Sequence, residues 1–176
     1  MPQSVSLSEI LNAKSGWYRG DFHAHTNFSD GYYAPPQLVD VAKSEGLDFV
    51  AVTDHNTIEP FSQFGAELDM LIVPGVEVTL KEGHFNAFGM EGLLEWMEAI
   101  WIGRNRARLN GAYATVSDIM RQASTQTLLT SINHPPLRPW EWRDSTTDLR
   151  FVHCLKIWND RSSRWPAART NIAHVR

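Results

Sequence analysis

The segment Gly20–Gly31 reads GDFHAHTNFSDG and places Asp21, His23 and His25 at alternate positions. With the aromatic residues before it, the segment predicts a strand over residues 17–26 that ends in polar side chains. Side chains of a strand alternate between its faces, so these three point the same way, and histidines at i and i+2 can reach one metal ion. On its own such a pair is more often a solvated strand end, so the metal interpretation depends on the rest of the chain.

The composition indicates a globular protein and argues against several kinds of binding site. The 176 residues suffice for one domain with a core, and 43% hydrophobic residues indicate a globular chain. The net charge of −4 comes without a basic run, so no nucleic-acid surface is predicted. A single cysteine, Cys154, excludes an internal disulfide and a multi-cysteine zinc site, and its apolar neighbours predict burial. Without a secretory signal or an apolar run of about 18 residues, we expect a cytoplasmic protein and no membrane contact.

Strand and helix patterns alternate along the chain. This alternation favours an α/β fold with a mostly parallel sheet or a β/α barrel. After the first strand, the patterns predict further strands over residues 48–55, 70–79, 83–90, 127–136 and 151–160. They predict helices over residues 35–47, 91–108 and 116–124, and the start of a helical connection over residues 164–176.

Each later strand up to the fifth also ends in a potential metal ligand. The strand C-termini of a β/α barrel meet at one face, where active sites form. Imidazole and carboxylate without thiolate suit Zn, Mn or Fe, and the set is larger than one ion needs, so two or more ions are predicted. Asn86 lies two residues after His84 and shares its face. The strand-end residues are Asp54, His55, Glu77, His84 and His134.

Four motifs together carry a family resemblance. DFHAHTNFSDG, AVTDHNT, VPGVEVT and SINHP, in this order, resemble the PHP (polymerase and histidinol phosphatase) superfamily of metal-dependent hydrolases. The GHFNAFGM segment and the overall spacing most resemble its carbaryl-hydrolase (CehA/McbA) branch. The resemblance covers about residues 17–158. It implies a single PHP domain over residues 1–176 with a distorted (β/α)7 TIM-like barrel.

The resemblance also implies roles for single residues. His23 and His25 match the pair that binds one metal, Glu77 matches the carboxylate that bridges two metals, and His134 matches a ligand of the second. These four would be catalytic through a water that the metals activate. His55 matches a ligand of a third metal, and Asp30 lies near another ligand position of that ion. At the remaining position of the second metal, where the family pattern falls on Asn86, we favour His84.

The sequence departs from the family at its end. Family members carry a late Asp-x-His motif that completes the site, and none follows Trp158. We therefore expect a fragment without the final strand or strands, with reduced metal affinity and little or no turnover; a natural short form is the alternative. Arg138 and Lys156 are candidates for binding an anionic substrate. Asp21 and Asp54 are candidates for orienting the neighbouring histidines.

Three functions remain open at this point. The first is a metal-dependent hydrolase with two or three divalent ions that acts on a small anionic phosphoester. The second keeps the metals and hydrolyses a carbamate, aryl ester or amide, as the carbaryl-hydrolase branch implies. The third is a catalytically impaired module that binds only metal or a partner, which the absent Asp-x-His motif suggests.

Overall fold

The computed structural model describes residues 16–65, 70–90, 92, 94, 96–97, 115–126, 129–136 and 138–156, and the backbone of residues 171–175. Seven strands form one sheet: β1 (Gly16–Ala24), β2 (Phe49–Val52), β3 (Leu71–Leu80), β4 (Gly83–Phe88), β5 (Leu129–Ile132), β6 (Cys154–Leu155) and β7 (Asn171–Val175). The helices are α1 (Pro35–Ser44) and α2 (Val116–Thr125), with 3₁₀ turns at Glu59–Gln63 and Leu149–Phe151.

The sheet is mixed and follows the order β6-β5-β4-β3-β2-β1-β7. β1, β2 and β3 pair in parallel, and so do β5 and β6, whereas β4 runs antiparallel to both of its neighbours. The prediction of a mostly parallel sheet is therefore wrong around β4. Only Lys81 and Glu82 join β3 to β4, and a two-residue connection makes a hairpin, since a parallel crossover needs a dozen residues or more.

The sheet curls so that its distant strands meet. β1 and β6 are five strand spacings apart in the sheet order, which in a flat sheet is roughly 24 Å at about 4.8 Å per strand. Nevertheless the Lys156 ammonium, directly after β6, lies 3.1 Å from Nδ1 of His23 on β1. This curvature is that of part of a TIM-like barrel, while a complete (β/α)7 barrel stays a prediction.

One core lies under the parallel half of the sheet. α1 begins with two prolines, whose fixed φ suits a first turn, and ends before Gly46, which adopts φ +70°. Its buried residues Leu38 and Ala42 lie one turn apart and pack with Val50 and Val52 of β2. All four residues of β2 are buried, as predicted for a strand covered on both faces.

A second core lies under the antiparallel half. Val76 and Val78 of β3 and Phe85 of β4 pack there with Ile119 and Met120 of α2. α2 begins at the predicted cap, since the Thr115 hydroxyl accepts a hydrogen bond from the N–H of the third helical residue. Burial of each such large aliphatic side chain contributes about 1.5–3 kcal/mol, so the two cores hold the strand ends in fixed positions.

The structure differs from two expectations for the C-terminal end of the chain, and it leaves most of the helix predicted in the middle of the chain outside the described residues. Residues 164–176 predict a helical connection, but Asn171–Val175 form β7, antiparallel to Gly16–Gly20 of β1. Cys154 is exposed and not buried, because it lies on the short edge strand β6. The helix predicted over residues 91–108 lies outside the described residues except for Trp96 and Met97, which are helical, and Gly92 and Leu94, which are not. No helix among the described residues is long and apolar enough to cross a membrane.

Candidate metal centre

The carboxylate of Glu77 lies at the centre of the histidine cluster. β3 places this side chain in the interior, where it is 1% exposed. Its Oε2 lies 3.1 Å from Nε2 of His23 and 3.1 Å from Nε2 of His25. Its Oε1 lies 3.3 Å from Nδ1 of His84 and 3.3 Å from Nε2 of His134. The two oxygens therefore face different histidines, as a carboxylate that bridges two ions would.

A third group extends from His25 toward the loop after β1. Nδ1 of His25 lies 3.2 Å from one oxygen of Asp30, and Nε2 of His55 lies 3.6 Å from the other. His55 also places Nδ1 3.2 Å from Oε2 of Glu77. The structure thus brings together all seven residues predicted as metal ligands: His23, His25, Asp30, His55, Glu77, His84 and His134.

Gly31 and Asp54 determine the shape of the loop that carries Asp30. Its Gly31 approaches the backbone of His25 so closely that a Cβ atom would lie 2.1 Å from the His25 carbonyl oxygen. Asp54 accepts hydrogen bonds from the N–H and the hydroxyl of Thr26, both at 2.9 Å, and from the Ser29 hydroxyl at 2.6 Å. Asp54 was expected to orient His55, but these bonds hold the loop instead, because its buried oxygens point at residues 26–29.

Asp21 also acts on the backbone. Its carboxylate accepts a hydrogen bond of 2.9 Å from the main-chain N–H of His23. It therefore contributes to the position of the His23 backbone at the end of β1, whereas the sequence suggested a bond to an imidazole ring.

The sequence did not point to Asn133, and it offered Asn86 only as the alternative to His84 at one ligand position of the second metal. The Asn133 amide donates to Oε1 of Glu77 at 2.9 Å and to the Asn86 side-chain oxygen at 2.7 Å. Asn86 in turn donates to the Phe22 carbonyl oxygen at 3.3 Å. Asn86 therefore holds Asn133, and His84 takes the position against Glu77. Two features point to these residues. Asn133 belongs to the SINHP motif, and Asn86 lies directly opposite Glu77 in the β3–β4 hairpin.

Two residues next to the cluster adopt left-handed backbone conformations that few non-glycine residues use. His134 has φ +32° and Asn56 has φ +52°. The Asn56 side chain bonds to both the N–H and the carbonyl oxygen of Thr79 on β3. These bonds hold the turn after β2, and with it His55, against β3.

The protonation states suit metal binding at neutral pH. Burial lowers the pKa of His23 from 6.5 to about 4, so its ring is neutral. Burial alone would raise the pKa of Glu77. At the acidic pH where Glu77 would titrate, the charge of protonated His23 and hydrogen bonds from His134, His23 and His25 hold that pKa well below its usual value. A hydrogen bond from His55 lowers the pKa of Asp30 from 3.8 to about 2. The cluster thus offers carboxylates and at least one neutral imidazole.

The two predicted substrate cations lie at different places. Lys156 is half-buried and contacts Nδ1 of His23 at 3.1 Å, so it lies within the cluster. Arg138 is exposed and follows the NHPP segment. A hydrogen bond from Arg143 and the charge of Arg138 both lower the pKa of Glu141, which lines a neighbouring cavity. Lys156 is therefore the predicted substrate cation that the structure places at the cluster.

The donor set fits divalent metal ions. Three groups of ligand atoms lie within 4.8 Å of one another: His23, His25 and Glu77; His25, Asp30 and His55; His55, Glu77 and His84. Nδ1 of His134 is buried without a hydrogen-bond partner among the described residues, although buried imidazole nitrogens normally have one. Nitrogen and carboxylate donors without sulfur suit Zn, Mn or Fe.

A cavity of about 540 Å³ opens beside the cluster. Asp30, His55 and His84 line it on the side of the metal-binding groups. Leu80, Pro139 and Trp140 also line it, together with Lys81, Glu141 and Arg143. A substrate therefore has room directly next to the candidate ligands.

Comparison with known proteins identifies the family. The family model of the PHP domain matches residues 21–149. Over 72 residues the chain is 38% identical to the 5'-3' exoribonuclease Rnm of Salmonella typhimurium; the match covers 36% of this chain and 24% of that protein. The chain spans less than half the length of the first curated relatives that it matches.

Solved structures show the same fold. A two-domain protein of Bacteroides vulgatus that contains a predicted PHP-like metal-dependent phosphoesterase has a TM-score of 0.53 and 24% identity, over 80% of this chain and 44% of that one. A predicted metal-dependent phosphoesterase of Bifidobacterium adolescentis has a TM-score of 0.61 and 16% identity, over 79% of this chain and 77% of that one. These relatives do not support the carbaryl-hydrolase branch that the motifs suggest.

Proposed function

The chain belongs to the PHP domain family, and we propose that it is a metal-dependent hydrolase of small phosphoesters. The observation that carries this proposal is the position of Glu77, a buried carboxylate with imidazole nitrogens within 3.3 Å of both oxygens. His23, His25 and His55 face its Oε2, and His84 and His134 face its Oε1. Buried polar groups need partners, and divalent cations would supply them for the Glu77 carboxylate and the surrounding ring nitrogens. The spacing of the ligand groups supports two or three ions.

The residues divide into three sets in this proposal. His23, His25 and Glu77 would hold one ion, and Glu77, His84 and His134 a second. His25, Asp30 and His55 would hold a third. When bound, such ions supply Lewis-acid chemistry, because they polarise a phosphoryl oxygen and increase the acidity of water. Asn133 and Asn86 hold the Glu77 carboxylate so that it faces both histidine pairs.

Lys156 is the proposed anion-binding residue. An ammonium group only donates hydrogen bonds, so its contact with Nδ1 of His23 places the ring proton of neutral His23 on Nε2, toward Glu77. A histidine that binds metal through Nε2 carries its proton on Nδ1 instead, and then Nδ1 has no lone pair for Lys156. With His23 holding an ion through Nε2, the Lys156 ammonium would lose this acceptor, and its charge would be available to a phosphoryl oxygen.

The test compares the wild-type chain, reloaded with Mn²⁺ or Zn²⁺, with Lys156→Met. Because the absent Asp-x-His motif predicts slow turnover, we expect the wild type to hydrolyse p-nitrophenyl phosphate slowly but measurably when the metal is supplied in excess. In Lys156→Met, KM should rise by about 10- to 100-fold, since a hydrogen bond to a charged group contributes about 1.5–3 kcal/mol. The matched control is Lys43→Met, which removes an exposed lysine of α1 and should leave KM unchanged. Metal content is measured in parallel and should be equal in all three proteins.

Two results would contradict the proposal. A reloaded wild type that hydrolyses no phosphoester of a broad panel would favour an impaired module. Faster hydrolysis of neutral aryl carbamates than of phosphates would favour the carbamate alternative.

A further inference from the structure

Trp140 is an exposed tryptophan beside the candidate metal centre. Its side chain lines the cavity next to the cluster and is 51% exposed. Its ring centroid lies 6.4 Å from that of His134, with the ring planes 68° apart. A large aromatic side chain that is half exposed within a cavity is available to a ligand.

The segment that carries Trp140 is firmly held. The main-chain N–H groups of Trp142 and Arg143 donate to the carbonyl oxygens of Pro135 and Glu82, at 2.9 and 2.6 Å. The Trp142 indole packs on Gly83, where a Cβ atom would lie 2.5 Å from the ring, and it donates to the Thr147 hydroxyl at 2.9 Å. Trp142 therefore anchors the loop, while Trp140 from the same loop faces the cavity.

The remaining walls combine apolar surface with charged side chains, to which Lys81 contributes one positive charge. Leu80 and Pro139 add apolar surface next to Trp140. Arg143 and Glu141 form an ion pair at 2.8 Å, so their charges compensate each other. The side of the cavity away from the metal ligands thus offers an aromatic face and apolar contacts. A ring stacked on Trp140 would lie beside the metal ligands, because the Trp140 and His134 ring centroids are 6.4 Å apart.

We propose that Trp140 determines substrate specificity by stacking on a planar aromatic leaving group, so that the substrates are aryl phosphate monoesters. The inference rests on the proposed function and names the class of substrate for that site. The phosphoryl group lies at the metal ligands and the aromatic ring lies against Trp140. Hydrolysis breaks the bond between phosphorus and the aryl oxygen; the water oxygen joins phosphorus, and the aryl oxygen leaves and takes up a proton.

The experiment compares 1-naphthyl phosphate with n-butyl phosphate as substrates of the metal-loaded chain. Trp140→Leu keeps an apolar side chain but removes the aromatic face, and Trp140→Phe keeps a smaller face. Trp17→Leu is the matched control, because Trp17 is exposed at the opposite end of β1 from His23. The readout is the ratio of kcat/KM for the aryl substrate to that for the alkyl substrate.

We expect the wild type to prefer the aryl substrate. Trp140→Leu should lower the ratio by about tenfold, as expected for the loss of one stacking contact. Trp140→Phe should retain most of the preference, and Trp17→Leu all of it. Equal use of both substrates by the wild type, or an unchanged ratio in Trp140→Leu, would overturn the proposal.

A binding measurement separates this inference from the proposed function. Isothermal titration calorimetry with 1-naphthylphosphonate and n-butylphosphonate gives the same aryl-to-alkyl ratio without turnover. If no phosphate is hydrolysed, the proposed function fails, and the ratio of affinities decides on Trp140 by itself. A tenfold loss of aryl preference in Trp140→Leu supports its role, and equal affinities in the wild type and in Trp140→Leu refute it.

Discussion

Single residues at the strand ends could be named from the sequence because metal ligands belong to few residue types. Two histidines at alternate positions of β1 share a face whatever the tertiary structure. The residues that hold the ligands were harder to find. Asn133 and Asn56 act through hydrogen bonds whose partners lie far along the chain, and no local pattern identifies such partners.

Asp54 should matter for both stability and metal binding, because its carboxylate holds the loop that carries Asp30. In Asp54→Asn, an amide group replaces a carboxylate that accepts three hydrogen bonds from Thr26 and Ser29. Each buried bond to a charged group contributes about 1.5–3 kcal/mol, so the free energy of unfolding in urea should fall by an amount in this range. The affinity for Mn²⁺ should fall by about 10- to 100-fold, as is typical when support for a ligand is lost.

The control for this change is Asp40→Asn, which alters an exposed carboxylate on α1. It should leave both quantities as in the wild type. An Asp54→Asn protein with wild-type Mn²⁺ affinity would show that the loop does not need Asp54 to present Asp30.

Whole elements were predictable where hydrophobic periodicity and caps agree. α1 starts at its two prolines and α2 starts after Thr115, as the sequence predicts. The direction of β4 and the strand at Asn171–Val175 were missed. Both depend on which strand lies alongside, and periodicity within one segment carries no information about its neighbour. For the same reason the pattern started β6 too early, at residue 151, whereas the strand begins at Cys154, where its pairing with β5 begins. Residues 157–160 of that predicted strand lie outside the described residues.

The conformation of the loop after β1 depends on Gly31. In Gly31→Ala, the new Cβ atom would meet the His25 carbonyl oxygen at 2.1 Å, so the loop must move. We expect a loss of about 1–3 kcal/mol in the free energy of unfolding, as for other substitutions into filled space, together with weaker Mn²⁺ binding. Gly65→Ala is the matched control, since a Cβ atom there meets nothing within 4 Å. Equal stability and Mn²⁺ affinity of the two variants would contradict this description of the loop.

The whole molecule is a curled sheet that gathers distant segments around one carboxylate. Its α/β class followed from the alternation of elements, and its curvature is visible in the contact between Lys156 and His23, 133 positions apart in the sequence. The sequence could not supply the distances within the cluster, because they depend on how the two cores position β1, β3 and β5 relative to one another.

The most direct test of the central claim, that the cluster around Glu77 binds divalent metal, is the metal content of the full chain. The protein is stripped with a chelator, reloaded with Mn²⁺ or Zn²⁺, desalted and analysed by mass spectrometry of its metals. We predict about two or three ions per chain for the wild type and for the control Glu59→Gln, which changes an exposed carboxylate. Glu77→Gln should retain no more than about one ion, because an amide cannot bridge two cations, whereas the set of His25, Asp30 and His55 does not use Glu77. A wild type with less than about one ion per chain, or a Glu77→Gln protein with the wild-type content, would contradict the account.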